Sequence, residues 1–337
     1  MWRCSVEKHV KALFNDQILK EAAIFYSVTF EDLVFVGGFE NFIYGFTKDS
    51  EEYIMRISHE SHRTLSQVAA ELDFVNFLAH YDANVSTPVL SIHQRLVEQV
   101  YCSNGSYFTI SVYTKALGER PNKAMMNEAF FESYGQTIGC FHWLTKMYKP
   151  ALGITPRFKW DEDPLLVHAD EYLPKEDGII LERFHALMRE INELKITKNN
   201  YGLIHTDIHA GNFFVKDNEL TVFDFDDCSY MWFVSDIAIA LFYHIDFQKI
   251  TEEERIEKAT LFMKHFMIGY LKENKLTKKD FLAIDLFLKL RELVLYIVVH
   301  RSMDVEKDQF AYSYVKRHRD RIINDEPFLP IDFKQFI

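Results

Sequence analysis

The sequence predicts an α+β fold, with a small antiparallel sheet in the N-terminal third and a larger, mainly helical remainder. Three observations carry this expectation. Three short strand-forming runs lie between Leu33 and Ile57, separated by turn clusters at Gly37-Gly38 and Lys48-Asp49-Ser50-Glu51. Helical segments follow along most of the chain, with apolar faces at helical spacing over 67–78 and 125–147. The chain has 337 residues, 48% hydrophobic and 15% aromatic with 30 Phe. That is enough for one bilobal unit or two domains with ample core, and excludes a disordered chain.

Taken in order, residues 7–26 read as one amphipathic helix leading into the sheet. Strands are expected at 33–36, 42–47 and 53–57, with Gly37–Asn41 as the first turn. A Gly-Gly turn between strands lets backbone N–H groups approach phosphate oxygens with no Cβ in the way. Taken alone it is usually just an ordinary hairpin. The helix over 67–78 presents Val68, Leu72, Val75 and Leu78 on one face. Glu71 on it reads, from this segment alone, as a solvated carboxylate or as an ion-pair partner. Strands are expected again at 89–92, 96–101 and 107–113. The aromatic stripe of 125–147 is core. Residues 150–178, rich in Pro, Asp and Glu, are either an acceptor-site insert or a solvated loop. Helices follow at 179–195, 234–246, 252–273, 279–301 and 305–324.

Composition excludes several classes of partner. The net charge is −12, with no long Lys/Arg run to make the basic footprint of a nucleic-acid binder. The densest cluster, 316–321, reads as the solvated face of a C-terminal helix. Cys4, Cys102, Cys140 and Cys228 are widely spaced without a C-x-x-C pair, so reduced thiols are expected. Residues 1–9 lack the apolar core of a signal peptide. The most apolar stretch, 284–299, is too short and too charged to span a bilayer, so a cytoplasmic protein with no membrane partner is expected.

The chemistry is concentrated in His205-Thr206-Asp207-Ile208-His209-Ala210-Gly211-Asn212 and, beyond a strand–turn–strand, in Phe223-Asp224-Phe225. One carboxylate to take or orient an acceptor hydroxyl proton, together with an amide and a second carboxylate to hold Mg²⁺ on nucleotide phosphates, is the equipment of phosphoryl transfer. A bare H-x-D-x-x-x-x-N could also be a polar turn satisfying local backbone. Here it lies between apolar strands, with Asp224 at hairpin distance and Asp236 heading an apolar helix.

Gly202–Leu241 resembles the aminoglycoside phosphotransferase and choline kinase superfamily, small-molecule relatives of the protein kinases. The resemblance implies a bilobal protein-kinase-like fold, with a nucleotide-cradling lobe over 1–114 and a catalytic and acceptor lobe over 115–337. It implies ATP and Mg²⁺ as cofactors. It makes Asp207 the catalytic carboxylate and Asn212 and Asp224 the metal ligands, with His205 and Asp236 supporting the loop; Asp226 and Asp227 are expected to matter less. It places Gly37, Gly38, Glu40 and Asn41 at the phosphates, and a hinge at 111–115, with Ser111 and Tyr113 on the nucleotide. Where many kinases carry Lys, this strand carries Arg56, whose guanidinium can grip phosphate in two-pronged fashion. The order strand-Arg then helix-Glu favours an Arg56–Glu71 pair. No Ala-Pro-Glu follows Asp224, since 228–233 bridge directly to the Asp236 helix. A small hydroxyl-bearing acceptor is therefore expected: an aminoglycoside, choline or ethanolamine, homoserine or a related amino alcohol. The alternatives are a protein Ser/Thr kinase of this superfamily or a non-catalytic nucleotide-binding protein, for which an intact Asp207/Asn212/Asp224 set would have no chemical use.

Overall fold

The computed structural model describes residues 8–38, 40–248 and 250–337. Glu7 of the expected first helix, Cys4, and Phe39 of the expected glycine turn lie outside them. The chain forms two compact units. The first contains the chain up to Gly118 with Tyr148–Arg157 and Thr221–Asp226; the second contains Glu119–Met147, Phe158–Leu220 and Asp227–Ile337.

In the first unit, α1 (Lys8–Leu13) and α2 (Asp16–Ile24) replace the single helix expected. Asn15 makes the break. Its extended backbone and side-chain oxygen cap Gln17 N at 2.9 Å and Ile18 N at 3.3 Å, and asparagine stabilises a helix start better than a helix interior. The strands β1 (Val34–Gly37), β2 (Phe42–Lys48) and β3 (Glu51–His59) precede α3 (Leu65–His80), and β4 (Pro88–Val89), β5 (Glu98–Tyr101) and β6 (Tyr107–Thr114) follow it. All pair antiparallel in the order β1-β2-β3-β6-β4, with β5 also on β6. Asp49 and Ser50, both at positive φ, make the tight β2–β3 turn. Met55, Ile57, Phe108, Ile110 and Val112 pack with Ile18, Leu19 and Ala22 of α2.

One expected strand is shorter in the structure. The strand expected at 89–92 stops at Val89, because Ser91 N bonds Arg95 O and Ile92 N bonds Phe25 O, taking both amides out of the sheet. Of the residues expected to form the hinge, 111–114 lie in β6. Ser111 pairs with Arg56 and Tyr113 with Ile54 and Pro88, while Thr114 N and Lys115 N donate to Thr87 O and Glu52 O.

The second unit holds α4 (Glu128–Thr145), the short turns α5 (Pro164–Val167) and α6 (Ala169–Tyr172), then α7 (Gly178–Asn192). After β7 (Tyr201–Ile204), β8 (Phe213–Lys216) and β9 (Glu219–Val222) flank a turn whose Asp217 and Asn218 both take positive φ. Thr221 and Val222 of β9 already belong to the first unit. β10 (Ser229–Trp232) pairs antiparallel with β7, where the sequence suggests only a connection. Then come α8 (Val234–Ile245), α9 (Glu252–Glu273), α10 (Lys278–Leu282), α11 (Ile284–Ser302) and α12 (Gln309–Ile323). The single helix expected over 279–301 is interrupted at Ala283, where ψ of −5° and an amide bonded back to Asp280 O close a tighter turn. Among the described residues no helix is long and apolar enough to cross a membrane.

The 316–321 cluster is only partly a solvated face: Lys316, Arg317 and Asp320 are exposed, while His318 is not. His318 is buried between Glu292 (Nδ1 to Oε1, 2.5 Å) and Asp246 (Nε2 to Oδ1, 3.2 Å). Arg317 bonds Asp246 at 2.7 Å, Arg321 bonds Glu292 at 3.1 Å and Arg319 bonds Asp177 at 2.8 Å. Buried carboxylates on other elements thus take up His318 and the three arginines, and tie α12 to Asp246 and to Glu292 of α11 by charge.

Helices α4 and α9 meet backbone to backbone. A Cβ on Gly135 would lie 1.9 Å from Phe266 O, and one on Gly269 would lie 1.8 Å from Glu132 O. A methyl at either position must push the helices apart rather than move a side chain. Gly135→Ala is therefore expected to lower unfolding stability by about 3 kcal/mol or more, at or above the usual cost of overpacking. A urea midpoint equal to wild type would show that the helices separate freely.

Candidate active site

The loop after β7 is built by backbone capture. Asp236, near the start of α8, accepts from His205 N at 3.2 Å and from Thr206 N at 2.8 Å. Thr206 sits at φ +62° and donates its hydroxyl to Asp227 O at 2.6 Å. His142 of α4 donates Nε2–H to Asp236 at 3.2 Å and takes the Tyr270 hydroxyl at Nδ1 at 2.9 Å. Burial lowers the His142 pKa more than Asp236 restores it, so the ring is neutral and its tautomer is fixed by these two partners. His205 Nδ1 accepts from Asp207 N at 3.3 Å, and Tyr134 pins Ile208 O at 2.8 Å.

Within this frame Asp207 is surrounded by donors. Asn212 Nδ2 bonds both its carbonyl and Oδ2 at 3.0 Å. His209 accepts from Gly211 N at Nδ1 (2.9 Å), which leaves Nε2–H directed at Asp207 Oδ2, 3.3 Å away. Arg291, from the middle of α11, bonds Oδ1. Burial raises the Asp207 pKa, but His209 and Arg291 outweigh it and hold the carboxyl below its ordinary range, so it is ionised at neutral pH. Because the amide nitrogen of Asn212 is consumed by Asp207, its Oδ1 is the atom left for a hard cation, which prefers oxygen.

The first unit holds the second cluster. Arg56, 4% exposed, bonds Glu71 through Nη2 at 2.5 Å, lies 3.7 Å from Asp226 through Nη1 and stacks over the Tyr113 ring at 5.4 Å. Burial would lower its pKa, but Glu71, Tyr113 and Asp226 hold it well above the ordinary value. The Tyr113 hydroxyl reaches Glu71 at 3.3 Å and takes a bond from Ser111, so both side chains adjoin this pair. Gly37 and Gly38 take φ of +146° and +144°, and a Cβ on Gly38 would lie 1.8 Å from Asn41 O. Asn41 is buried, and Glu40 lies 3.5 Å from His62.

Asp224 and Asp226 differ sharply. Asp224 is exposed at φ +65°, a conformation aspartate tolerates. Asp226 is buried, with His62 Nε2 on its carboxylate at 2.5 Å and Arg63 and Arg157 on its carbonyl at 3.2 and 2.6 Å. Its pKa is held well below the ordinary range despite burial, by His62, Arg63 and Arg56, and that of His62 is raised by Asp226 against burial. Asp226 thus stabilises the fold above its depressed pKa and loses that effect in acid. The His62 contribution is present at low pH and is lost as pH rises through its raised value. Asp226→Ala, which strands buried cations, is expected to cost about 3 kcal/mol or more of stability. Asp224→Asn is expected to leave stability within about 0.5 kcal/mol and to raise the Mg²⁺ needed for half-maximal turnover. A larger Mg²⁺ shift from Asp226→Ala would exchange the two assignments.

Arg291, Tyr243, His62, Arg63 and Arg157 were not found by sequence reasoning. They reach their carboxylates from remote segments, and Arg291 is one of four charges in 284–299, with Asp285, Lys289 and Glu292, so the sequence does not single it out.

An antiparallel sheet unit with a buried Arg–Glu pair, and a helical unit with a braced H-x-D-x-x-x-x-N loop, define a phosphotransferase of the kinase-like fold. Residues 33–269 match the phosphotransferase enzyme family. The amicoumacin kinase of Bacillus subtilis (strain 168) is 33% identical over 98% of this chain and 99% of its own. A solved amicoumacin kinase, in complex with AMP-PNP, Ca²⁺ and Ami, superposes with a TM-score of 0.93 at 33% identity over 98% of this chain and 100% of its own. A microcompartment-associated aminopropanol kinase, at 20% identity over 91% of this chain and 98% of its own, shares the fold with a TM-score of 0.71. The chain belongs to the phosphotransferase enzyme family, as a kinase of the aminoglycoside phosphotransferase and choline kinase superfamily.

Proposed function

We propose that this protein transfers the γ-phosphoryl group of ATP to a hydroxyl of a small molecule in the cytoplasm. The observation that carries the reading is Asp207, an ionised carboxylate fixed by Asn212, His209 and Arg291 on a loop braced by Asp236. Asp207 orients the acceptor hydroxyl and receives its proton as the hydroxyl oxygen bonds to the γ-phosphorus. The bond from that phosphorus to the bridging oxygen breaks, and ADP leaves with the electron pair. Asn212 Oδ1 and the Asp224 carboxylate are the oxygen donors assigned to Mg²⁺, which when bound offsets phosphate charge. The sheet unit, with Gly37, Gly38 and Arg56, takes the nucleotide-cradling role; the helical unit takes the acceptor.

The names of the relatives direct the choice of acceptor. Amicoumacin stands first, because the amicoumacin kinases share a third of their residues with this chain along nearly its whole length. Aminopropanol and other amino alcohols follow. The test is ADP release from ATP and Mg²⁺ across a panel of amicoumacin, aminoglycosides, amino alcohols, hydroxy amino acids and generic protein substrates. Turnover with a small hydroxyl compound is expected. Turnover with protein alone, or with nothing in the panel, would remove the reading.

A further inference from the structure

Arg291 shares with His209 the task of keeping Asp207 ionised, and its geometry does more than that task requires. Its Nη2 is shared between Asp207 Oδ1 and the Tyr243 hydroxyl, and its guanidinium lies over the Tyr243 ring at 4.8 Å. Tyr243 in turn packs against His209, ring centres 4.3 Å apart. These contacts fix the cation in one orientation. Among the described residues Nη1 has no partner, and unlike Nε it is not buried; the side chain as a whole is 13% exposed. Two charged N–H donors therefore stand open immediately beside the carboxylate that orients the acceptor hydroxyl. A site made for purely cationic acceptors would leave the Asp207 charge uncovered, whereas here a guanidinium covers it.

We propose that Arg291, held by Tyr243, selects the acceptor: Nη1 binds a carbonyl or carboxylate oxygen placed next to the reacting hydroxyl. The proposal rests on the phosphotransferase reading above and deepens it. An oxygen about 2.9 Å from Nη1 and a hydroxyl on Asp207 belong to groups separated by only a few bonds. Hydroxy-amides and hydroxy-acids are thus favoured over amino alcohols of the same skeleton. A site built around an unpaired donor penalises a ligand that lacks the matching acceptor.

The test uses matched acceptors that differ by one carboxamide or one carboxylate group: L-threoninamide against 1-amino-2-propanol, and L-homoserine against 3-amino-1-propanol. ADP release gives kcat/KM for each. The wild type is expected to favour the carbonyl-bearing member of each pair by about tenfold or more. Arg291→Met lowers both members, because it also bares Asp207, and brings their ratio close to one. Arg291→Lys, which keeps the charge, restores some of the ratio. That ratio is a readout a merely structural role would not move. Equal losses for both members in Arg291→Met, with the wild-type ratio kept, would overturn the proposal; so would a wild-type ratio of one. If aminoglycosides are phosphorylated and no carbonyl-bearing acceptor is, this proposal fails alone. If no small acceptor is phosphorylated, the phosphotransferase reading fails and takes this one with it.

Discussion

Asp207→Asn is expected to lower kcat at least about a hundredfold, the lower range for a positioned acid–base group, or about 2.7 kcal/mol of transition-state stabilisation. The substitution is nearly isosteric, but Asn212 and Arg291 donate to different oxygens of Asp207, so the amide keeps an acceptor for only one of them. What is lost is the charge that receives the hydroxyl proton. Folding is expected to weaken by about 1–3 kcal/mol, since one donor loses its acceptor and the other bond becomes neutral. Nucleotide affinity, read by titration with a fluorescent ATP analogue, is expected to stay within about twofold, because a group acting on the acceptor contributes to kcat and not to ATP binding. Turnover near the wild-type rate would remove Asp207 from the chemistry. A parallel collapse of nucleotide affinity and stability would make it a residue of the fold.

What the sequence made legible follows its local order. The β2–β3 hairpin, α3, α4 and α9 are recoverable because alternation, helical spacing and turn residues all act within a few positions. The loop from His205 to Asn212 was legible for the same reason: many of its donors and acceptors are neighbours in the chain, and Asp236 lies three short strands beyond. Where a boundary depended on a single cap, periodicity missed it. Asn15 splits the first helix and Ala283 the second-last, although neither disturbs the apolar pattern. β10 was missed because its strand character comes from pairing with β7 rather than from its own residues.

Charge was the least legible property. Local reading assigned 316–321 to solvent, yet His318 and its arginines find Asp246, Glu292 and Asp177 on segments far away in sequence. Arg291 reaches Asp207 in the same manner. Whether a charged residue is solvated or paired depends on what the fold brings opposite it, which no window of sequence contains. Asp224 and Asp226 illustrate the point at close range. They are two residues apart, one exposed and one enclosed by His62 and two arginines, and nothing in the triplet distinguishes them.

The Arg56–Glu71 pair is expected to produce the largest combined effect on stability and nucleotide use. Glu71 is 1% exposed and Arg56 4%. Glu71→Ala leaves a buried guanidinium with only the more distant Asp226 carboxylate and the Tyr113 ring, and a broken buried pair costs about 3–5 kcal/mol. Arg56→Ala removes the cation itself, so Glu71 keeps only the Tyr113 hydroxyl. Its expected signature is a raised KM for ATP with a lowered kcat, since guanidinium contacts with phosphate strengthen as charge develops in transfer. Arg56→Lys keeps the charge without the two-pronged geometry and should recover some of the activity. The double variant Arg56→Ala/Glu71→Ala is expected to be little worse than Arg56→Ala in kcat/KM for ATP, and more stable than the sum of the single losses, because each residue's main partner is the other. Additive effects on both readouts would make Glu71 independent of Arg56 in function, and the grip on the nucleotide would then have to be sought elsewhere in the sheet unit.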